Sequence, residues 1–414
     1  MTADETHQAI KAVYRIERAR LIAGLVRMVR DVDLAEELAQ DALVIALSAW
    51  PKSGVPARPG AWLMTAAKRR AIDTIRHGKM RSRKHEEIAR ELDGAAEMIE
   101  TAIDDDPGDE LLGLIFIACH PILSADARAA LTLRVVGGLT TDEIARAFLS
   151  NEATIAQRIV RAKKTIGKAG LGFETPRGAE RAARLPSVLE VIYLIFNEGY
   201  AATAGDDLVR PNLCLEAQRL GRLLAGLMPE EAEVLGLLAL MEIQASRLPT
   251  RIGPDGALVP LTEQNRAHWD RLLIDRGLDA LARAEALSGD GPYVIQAALA
   301  ACHARAPIAA DTDWVAIASL YDRLRAAAPS AVVDLNRAIA HSMAFGPEAG
   351  LRLLDEIADV HLLHNYAPLP AARGDFLFRA GRKAEARSEF ETAAKLTRNA
   401  QERAFLLARA DACG

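Results

Sequence analysis

The side chains best suited to chemistry lie between Ser124 and Lys168, and that chemistry is recognition rather than bond making. Ser124 is placed to cap a helix running to Val136, which Gly137-Gly138 would end. Thr140-Thr141-Asp142-Glu143 has the form of a capping box: the Thr140 hydroxyl can accept the Glu143 backbone N–H while the Glu143 carboxylate reaches back. The short helix that follows turns Ile144, Ala145 and Phe148 inward. A turn of Leu149, Ser150 and Asn151 comes next, with Asn151 as the following N-cap. Ile155, Ile159, Ala162 and Ile166 then make a buried stripe, which leaves Ala153, Gln157, Val160, Arg161 and Lys164 facing outward. This is the organisation of a helix-turn-helix whose second helix enters the major groove. Small residues at its start allow close approach, Gln157 can read a base edge, and the cations can meet phosphates. The plainer alternative is a helical hairpin with a solvated basic face.

A second candidate lies upstream. Pro56-Ala57-Arg58-Pro59-Gly60-Ala61-Trp62-Leu63 is a stiff loop opening a helix on which Lys68, Arg69, Ile72 and Arg76 share a face. Cations beside apolar platforms capture unstacked bases, so this face suits opened DNA. From Lys68 to His85 there are eight Lys/Arg and one acid, and from Glu86 to Glu110 eleven acids against Arg90. A charge run of that kind, including Asp104-Asp105-Asp106, cannot pack or pair internally and reads as a solvated linker. Two basic surfaces across an acidic linker suggest a bipartite promoter reader.

These surfaces need elements to hold them, and periodicity supplies helices nearly everywhere with no sustained strand alternation, so the fold class is all-α. The 414 residues, half of them hydrophobic and with a net charge of −5, describe an ordinary folded chain of two or three domains. Leu34, Leu38, Ile45 and Ala49, with Ala42 between them, fall at helical spacing, with Glu37, Asp41, Val44 and Ser48 on the opposite side. Gly170, Gly172, Pro176 and Gly178 mark another boundary. The domains expected are 1–86, an acidic linker 87–106, 107–170, a linker 171–184, and a helical block 185–414. In that last block Ile317-x3-Tyr321-x2-Leu324, Leu351-x3-Asp355-x2-Ala358 and Ala386-x3-Phe390-x2-Ala393 recur with starts 34 and 35 residues apart. The period matches the second helix of a tetratricopeptide repeat, with plain antiparallel helix pairs as the alternative. No apolar run reaches the length of a membrane span, and Met1–Gln8 lacks the basic start of a secretory signal, so a cytoplasmic location is expected.

Other conspicuous residues read as structural. Cys119-His120 and Cys302-His303 lack metal-ligand spacing and sit in apolar helix-like runs, so they are assigned to the core, and no metal or cofactor is expected. Cys119, Cys214, Cys302 and Cys413 are too far apart to suggest a disulfide framework. Asn197, Glu198, Glu216, Arg219, Arg222, Glu242 and Arg247 should pair across helices, the alternative being a peptide or small-ligand groove. Thr312-Asp313-Trp314 and His268-Trp269-Asp270 read as helix caps beside a packed aromatic. No Ser/His/Asp order, phosphate-binding loop or zincin motif supports an enzyme.

Several stretches resemble a known family. Asp33-Leu34-Ala35-Glu36-Glu37-Leu38-Ala39-Gln40-Asp41-Ala42, then Trp50, Pro59-Gly60-Ala61-Trp62-Leu63 and Asp73-Thr74-Ile75-Arg76 resemble region 2 of an extracytoplasmic-function (ECF) sigma factor. Leu133 through Ala145, with Thr154 and Arg158, resembles region 4. Tyr193 through Tyr200, Gly236 through Met241, and Leu335-Asn336-Arg337-Ala338 resemble the subgroup with a long C-terminal tetratricopeptide-like extension. The resemblance implies core RNA polymerase as partner, contacted by Glu37, Leu38, Gln40 and Asp41. It implies promoter DNA as the second partner: Arg58, Trp62, Lys68, Arg69 and Arg76 on the −10 element, and Glu152, Ala153, Thr154, Gln157, Arg158, Arg161 and Lys164 on the −35 element. Arg69 stands where the family often has Asn, and a cation there suits phosphate contact. The extension is implicated in control, through contact with the DNA-reading domains or with a regulatory protein partner. The competing reading is a DNA-binding regulator that acts without polymerase.

Overall fold

The computed structural model describes residues 3–81, 107–148, 150–200, 210–253, 259–357, 363, 366–397 and 400–414. Every regular element among them is helical, as expected. The acidic linker at 87–106, Leu149 of the expected turn, Ala358 of the middle repeat and the side chain of Arg76 lie outside the described residues. Two compact units divide the chain, residues 1–192 and 193–414.

The first unit begins with α1 (Ala3–Val29), α2 (Val32–Ser53) and α3 (Pro59–Arg81). Asp31 starts α2 by accepting the Leu34 N–H at 3.0 Å, and Gly54 ends it with its N–H on the Trp50 carbonyl. Ile22 and Leu25 of α1 and Leu63, Ala67 and Ala71 of α3 are buried with the inner face of α2. That inner face differs from the expected stripe. Leu38 and Ala42 are buried, but Ile45 is 39% exposed, and Ala35, Ala39, Ala46 and Trp50 take the remaining inner positions. Alanines let the three helices approach closely, and Trp50 closes the end of the core edge-on to Trp62, ring centroids 5.2 Å apart.

Four more helices follow, α4 (Pro107–Ala118), α5 (Ala125–Val135), α6 (Thr141–Ala147) and α7 (Glu152–Ala169). Ser124 occupies the N-cap position of α5, though its hydroxyl caps no backbone N–H. The capping box of α6 is present: Thr140 N–H donates to Glu143 Oε2 at 2.8 Å and Glu143 N–H to Thr140 Oγ1 at 3.1 Å. Asn151 caps α7 by accepting the Thr154 N–H at 2.7 Å. Gly170, in the left-handed region at φ 59°, ends α7.

The stretch 171–184 does more than connect. Thr175 Oγ1 donates to the Asp109 carbonyl at 2.6 Å, and a side chain at Gly113 would strike the Phe173 carbonyl at 2.8 Å, so this segment lies directly on α4. Helix α8 (Gly178–Tyr200) starts inside the expected linker. Its Arg184 donates to the Phe116 carbonyl at 2.9 Å and Ser187 to the Cys119 carbonyl at 2.6 Å. Those bonds satisfy carbonyls near the α4 C-terminus that have no helical partner, which explains why the first unit continues to Ile192. Cys119 is buried there, Sγ 3.3 Å from Thr132 Oγ1, and burial pushes its thiol up to about 12.

The second unit contains the C-terminal part of α8, then α9 (Pro211–Leu227), α10 (Ala232–Ala245), α11 (Arg271–Ala286), α12 (Pro292–Arg305), α13 (Trp314–Ala327), α14 (Ala331–Phe345), α15 (Pro347–Glu356), α16 (Pro368–Arg379), α17 (Lys383–Leu396) and α18 (Ala400–Asp411). Residues of the expected repeat fall on every second helix: Ile317 and Leu324 on α13, Leu351 on α15, and Ala386, Phe390 and Ala393 on α17 are all buried. Asp355 takes the aromatic's place in the middle copy, exposed and paired with Arg373 at 2.8 Å. Among the polar residues, Glu242 is 1% exposed and is held by Arg222 at 2.7 and 3.0 Å and by Gln218 at 3.2 Å. Asp270 and Asp313 cap α11 and α13. Trp269 is buried, and Trp314 meets His303 edge-on.

Candidate nucleic-acid interface

Helix α7 sets out its polar face as the periodicity requires. Ile155, Ile159, Ala162 and Ile166 are buried, which turns Glu152, Ala153, Thr154, Gln157, Arg161 and Lys164 to the surface. Arg161 and Lys164 make no ion pair among the described residues. Arg158 is half-buried and pairs with Asp126 at 3.3 Å. The face is therefore cationic, small at its N-terminal end, and capped at both ends of the helix, the form that fits a groove.

The second surface lies between α2 and α3, around a cleft of about 860 Å³ bordered by Asp41, Val44, Arg58, Trp62 and Arg69. Arg58 sits at the start of α3, where its carbonyl accepts the Trp62 N–H at 3.1 Å. Arg58 and Arg69 are exposed, Lys68 and Trp62 half-buried. Arg70, which sequence reasoning left out of the site, crosses to Asp41 at 2.9 Å. Of the residues expected to meet polymerase, Glu37 and Gln40 are exposed and Asp41 half-buried. Leu38 is 1% exposed and packs inward, so it holds the helix rather than presenting a side chain. Val44 and Ile45, 60% and 39% exposed, stand in the open instead.

A third feature was not legible as a site. Glu36 of α2 is 6% exposed and gathers three cations. Arg18 Nη2 lies 2.5 Å and Arg134 Nε 3.2 Å from its Oε1, and Lys163 Nζ lies 2.5 Å from its Oε2. Arg18 also donates to the Arg134 carbonyl at 2.6 Å, and Lys163 reaches Asp33 at 2.6 Å. Two acids and three cations thus leave one net positive charge, with each carboxylate oxygen of Glu36 paired, which is what a buried carboxylate requires. The cluster ties the inner flank of α7 to α2, so the two candidate surfaces stand on one compact unit. Among the described residues no group of three or more His, Cys, Asp or Glu is arranged to hold a metal ion, and no helix is long and apolar enough to cross a membrane.

Comparison with known proteins places these elements. Residues 13–81 match Sigma-70 region 2, residues 114–166 match Sigma-70, region 4, and residues 184–285 match a family of unknown function (DUF6596). The chain is 41% identical over 396 residues to an uncharacterized protein, R00370, of Rhizobium meliloti (strain 1021), covering 95% of this chain and 93% of that one. It is 30% identical over 172 residues to the ECF RNA polymerase sigma factor SigK of Mycobacterium sp. (strain KMS), covering 38% of this chain and 80% of the relative. A probable ECF RNA polymerase sigma factor, SigI of Mycobacterium tuberculosis (strain ATCC 25618 / H37Rv), is 28% identical over 39% of this chain and 56% of its own length. No solved structure matches. With region 2 on α1–α3, region 4 on α4–α7 and a large helical block beyond them, the chain belongs to the ECF RNA polymerase sigma factors, as an alternative sigma factor with a long C-terminal extension.

Proposed function

We propose that this sigma factor binds core RNA polymerase through α2, reads the −35 element as duplex with α7, and opens the −10 region with the loop and face of α3. The observation that carries the reading is the outward face of α7, where Gln157, Arg161 and Lys164 stand exposed on a helix capped at both ends. Arg161 and Lys164 supply sequence-independent phosphate attraction and Gln157 a base-edge contact. Arg58 just before α3, with Lys68 and Arg69 on it, attracts the backbone of the opened strand beside the rim of Trp62. Glu37, Gln40 and Asp41 offer an acidic and polar strip to polymerase, with Val44 and Ile45 as its apolar continuation. The Glu36 cluster holds α7 to α2 in the free chain, so engagement of α2 by polymerase and release of α7 for DNA are coupled. Control by the C-terminal unit completes the proposal.

The test is run-off transcription with purified core polymerase on templates from upstream of the chain's own gene and its neighbours. Full-length protein is compared with a chain ending after Ile192, because a cut after Gly170 would strip Arg184 and Ser187 from α4. Initiation by the full chain that Asp41→Arg abolishes is the expected result. Greater activity of the shortened chain makes the extension an inhibitor, and loss of activity makes it a positive element; equal activity removes it from control. Failure of both chains to bind core refutes the polymerase role and leaves a regulator acting on DNA alone.

A further inference from the structure

We propose that the C-terminal unit carries a binding site for a small aromatic carboxylate, bordered by α8, α10, α12, α13 and α14. A cavity of about 680 Å³ lies among these helices, within the roughly 300–1,000 Å³ span of small-molecule sites. Tyr193, Trp269 and Tyr321 give it flat apolar walls, and Asn197, Gln244, Arg247 and Asn336 place polar groups between them. Walls drawn from five helices suit a compact molecule rather than an extended chain.

The polar groups are more numerous than the protein itself can satisfy. Gln244 and Asn336 make no side-chain hydrogen bond among the described residues, although both border the cavity. Three nitrogens on side chains that border the cavity, Trp269 Nε1, Arg247 Nε and His303 Nδ1, also lack a partner, but they are closed off from its open space. Trp269 itself is only 3% exposed. Native structures leave few half-buried polar groups unpaired, and Gln244 and Asn336 on one cavity are groups that a bound polar molecule would complete.

Charge narrows the class. Arg247 lies over the rings of Tyr200 and Trp269, 5.6 and 6.0 Å from their centroids, and donates to the Tyr200 hydroxyl. No carboxylate pairs with it among the described residues, and no Asp or Glu borders the cavity. Arg266 stands over Trp269 at 5.2 Å, its guanidinium spent on the carbonyls of His303 and Ala306 and on Thr312. Burial, and then the neighbouring Arg247 and Arg266, push His303 down to about 4, so it is neutral near pH 7. The wall therefore carries one guanidinium and several neutral donors, which suits a monoanion; a phosphate dianion would call for a cluster of cations. The aromatic walls then favour a flat body on the carboxylate.

The experiment titrates the full-length chain with benzoate, 4-hydroxybenzoate and indole-3-acetate, and with benzamide as the neutral match for benzoate, by calorimetry and tryptophan fluorescence. At least one carboxylate should bind saturably at one site per chain, and benzoate at least tenfold tighter than benzamide, about 1.4 kcal/mol. Arg247→Gln should erase that preference. Asn336→Leu, on α14 and outside the Arg247 stack, should weaken carboxylate binding at least fivefold while leaving the ligand-free melting temperature in place, and it carries the test if Arg247→Gln fails to fold. The proposal is overturned if no carboxylate of the three binds, if benzamide binds as well as benzoate, or if the folded variants keep full affinity. Transcription plays no part in the readout, so this site and the sigma reading fail independently.

Discussion

Replacing Lys163 by Met keeps the hydrocarbon stem against α2 and removes only the ammonium from the Glu36 cluster. Lys163 is 10% exposed and meets Glu36, 7% exposed, at 2.5 Å. Its contact with Asp33, 64% exposed, contributes little because water screens it. A charge-assisted hydrogen bond of the first kind is worth about 1.5–3 kcal/mol, so the tie between α2 and α7 should weaken by about 10- to 150-fold. Glu36 keeps Arg18 and Arg134 on Oε1, so its charge stays paired although Oε2 loses its partner. Glu36→Gln is the opposite case: three cations lose their common counter-charge, and breaking a buried pair in that way costs about 3–5 kcal/mol. At roughly 2–4 °C per kcal/mol for a unit of this size, melting should fall by about 6–20 °C. Spin labels on exposed Ser48 of α2 and Lys168 of α7 would report the distance between the helices. Lys163→Met should broaden that distribution with modest loss of melting temperature, and Glu36→Gln should lower melting more. An unchanged distribution for Lys163→Met, or equal melting of the two variants, would refute the assignment of Glu36 as the shared anchor.

Three further outcomes follow from the same geometry. Arg161→Ala should weaken all cognate promoters together and lower the salt slope of binding by about one, whereas Gln157→Ala should change −35 preference; a promoter library that ranks identically for both removes Gln157 from the readers. Asp41→Arg should abolish binding to core polymerase in a protein that still folds, while Leu38→Arg, at a position 1% exposed, should unfold α1–α3; circular dichroism of both variants separates an interface residue from a packing one. The thiols of Cys119 and Cys214, each pushed up to about 12 chiefly by burial, are neutral at pH 8, with about one thiolate in ten thousand. An aromatic disulfide reagent should therefore spare both until the chain unfolds, and rapid native labelling of either would contradict their placement.

Short-range signals carried most of the local structure. Thr140 and Glu143, or Asn151 and Thr154, are three residues apart, so their capping bonds depend only on the helix they start. The buried stripe of α7 was legible for the same reason, since one helical period decides it. On α2 the period was right but the phase was not. Ile45 is more apolar than Ala46, yet the close approach of α1 and α3 selected the alanines. A similar limit applies at 171–184, where Gly and Pro read as a linker and the free carbonyls at the C-terminal end of α4 recruit the start of α8 instead.

What the linear chain determined is thus the all-helical class, the helix-turn-helix with its exposed polar face, and the family through motifs of short span. The tertiary structure alone decided which side chains meet across long separations. Lys163 and Glu36 are 127 residues apart, and nothing in either one's neighbourhood selects the other from the chain's 51 Lys and Arg and 56 Asp and Glu. The cavity between Tyr193 and Asn336 exists only where five helices pack imperfectly. Hydrogen bonds within a turn are set by local backbone geometry, whereas ion pairs and cavities are set by how whole helices pack, which depends on every side chain at the contact at once.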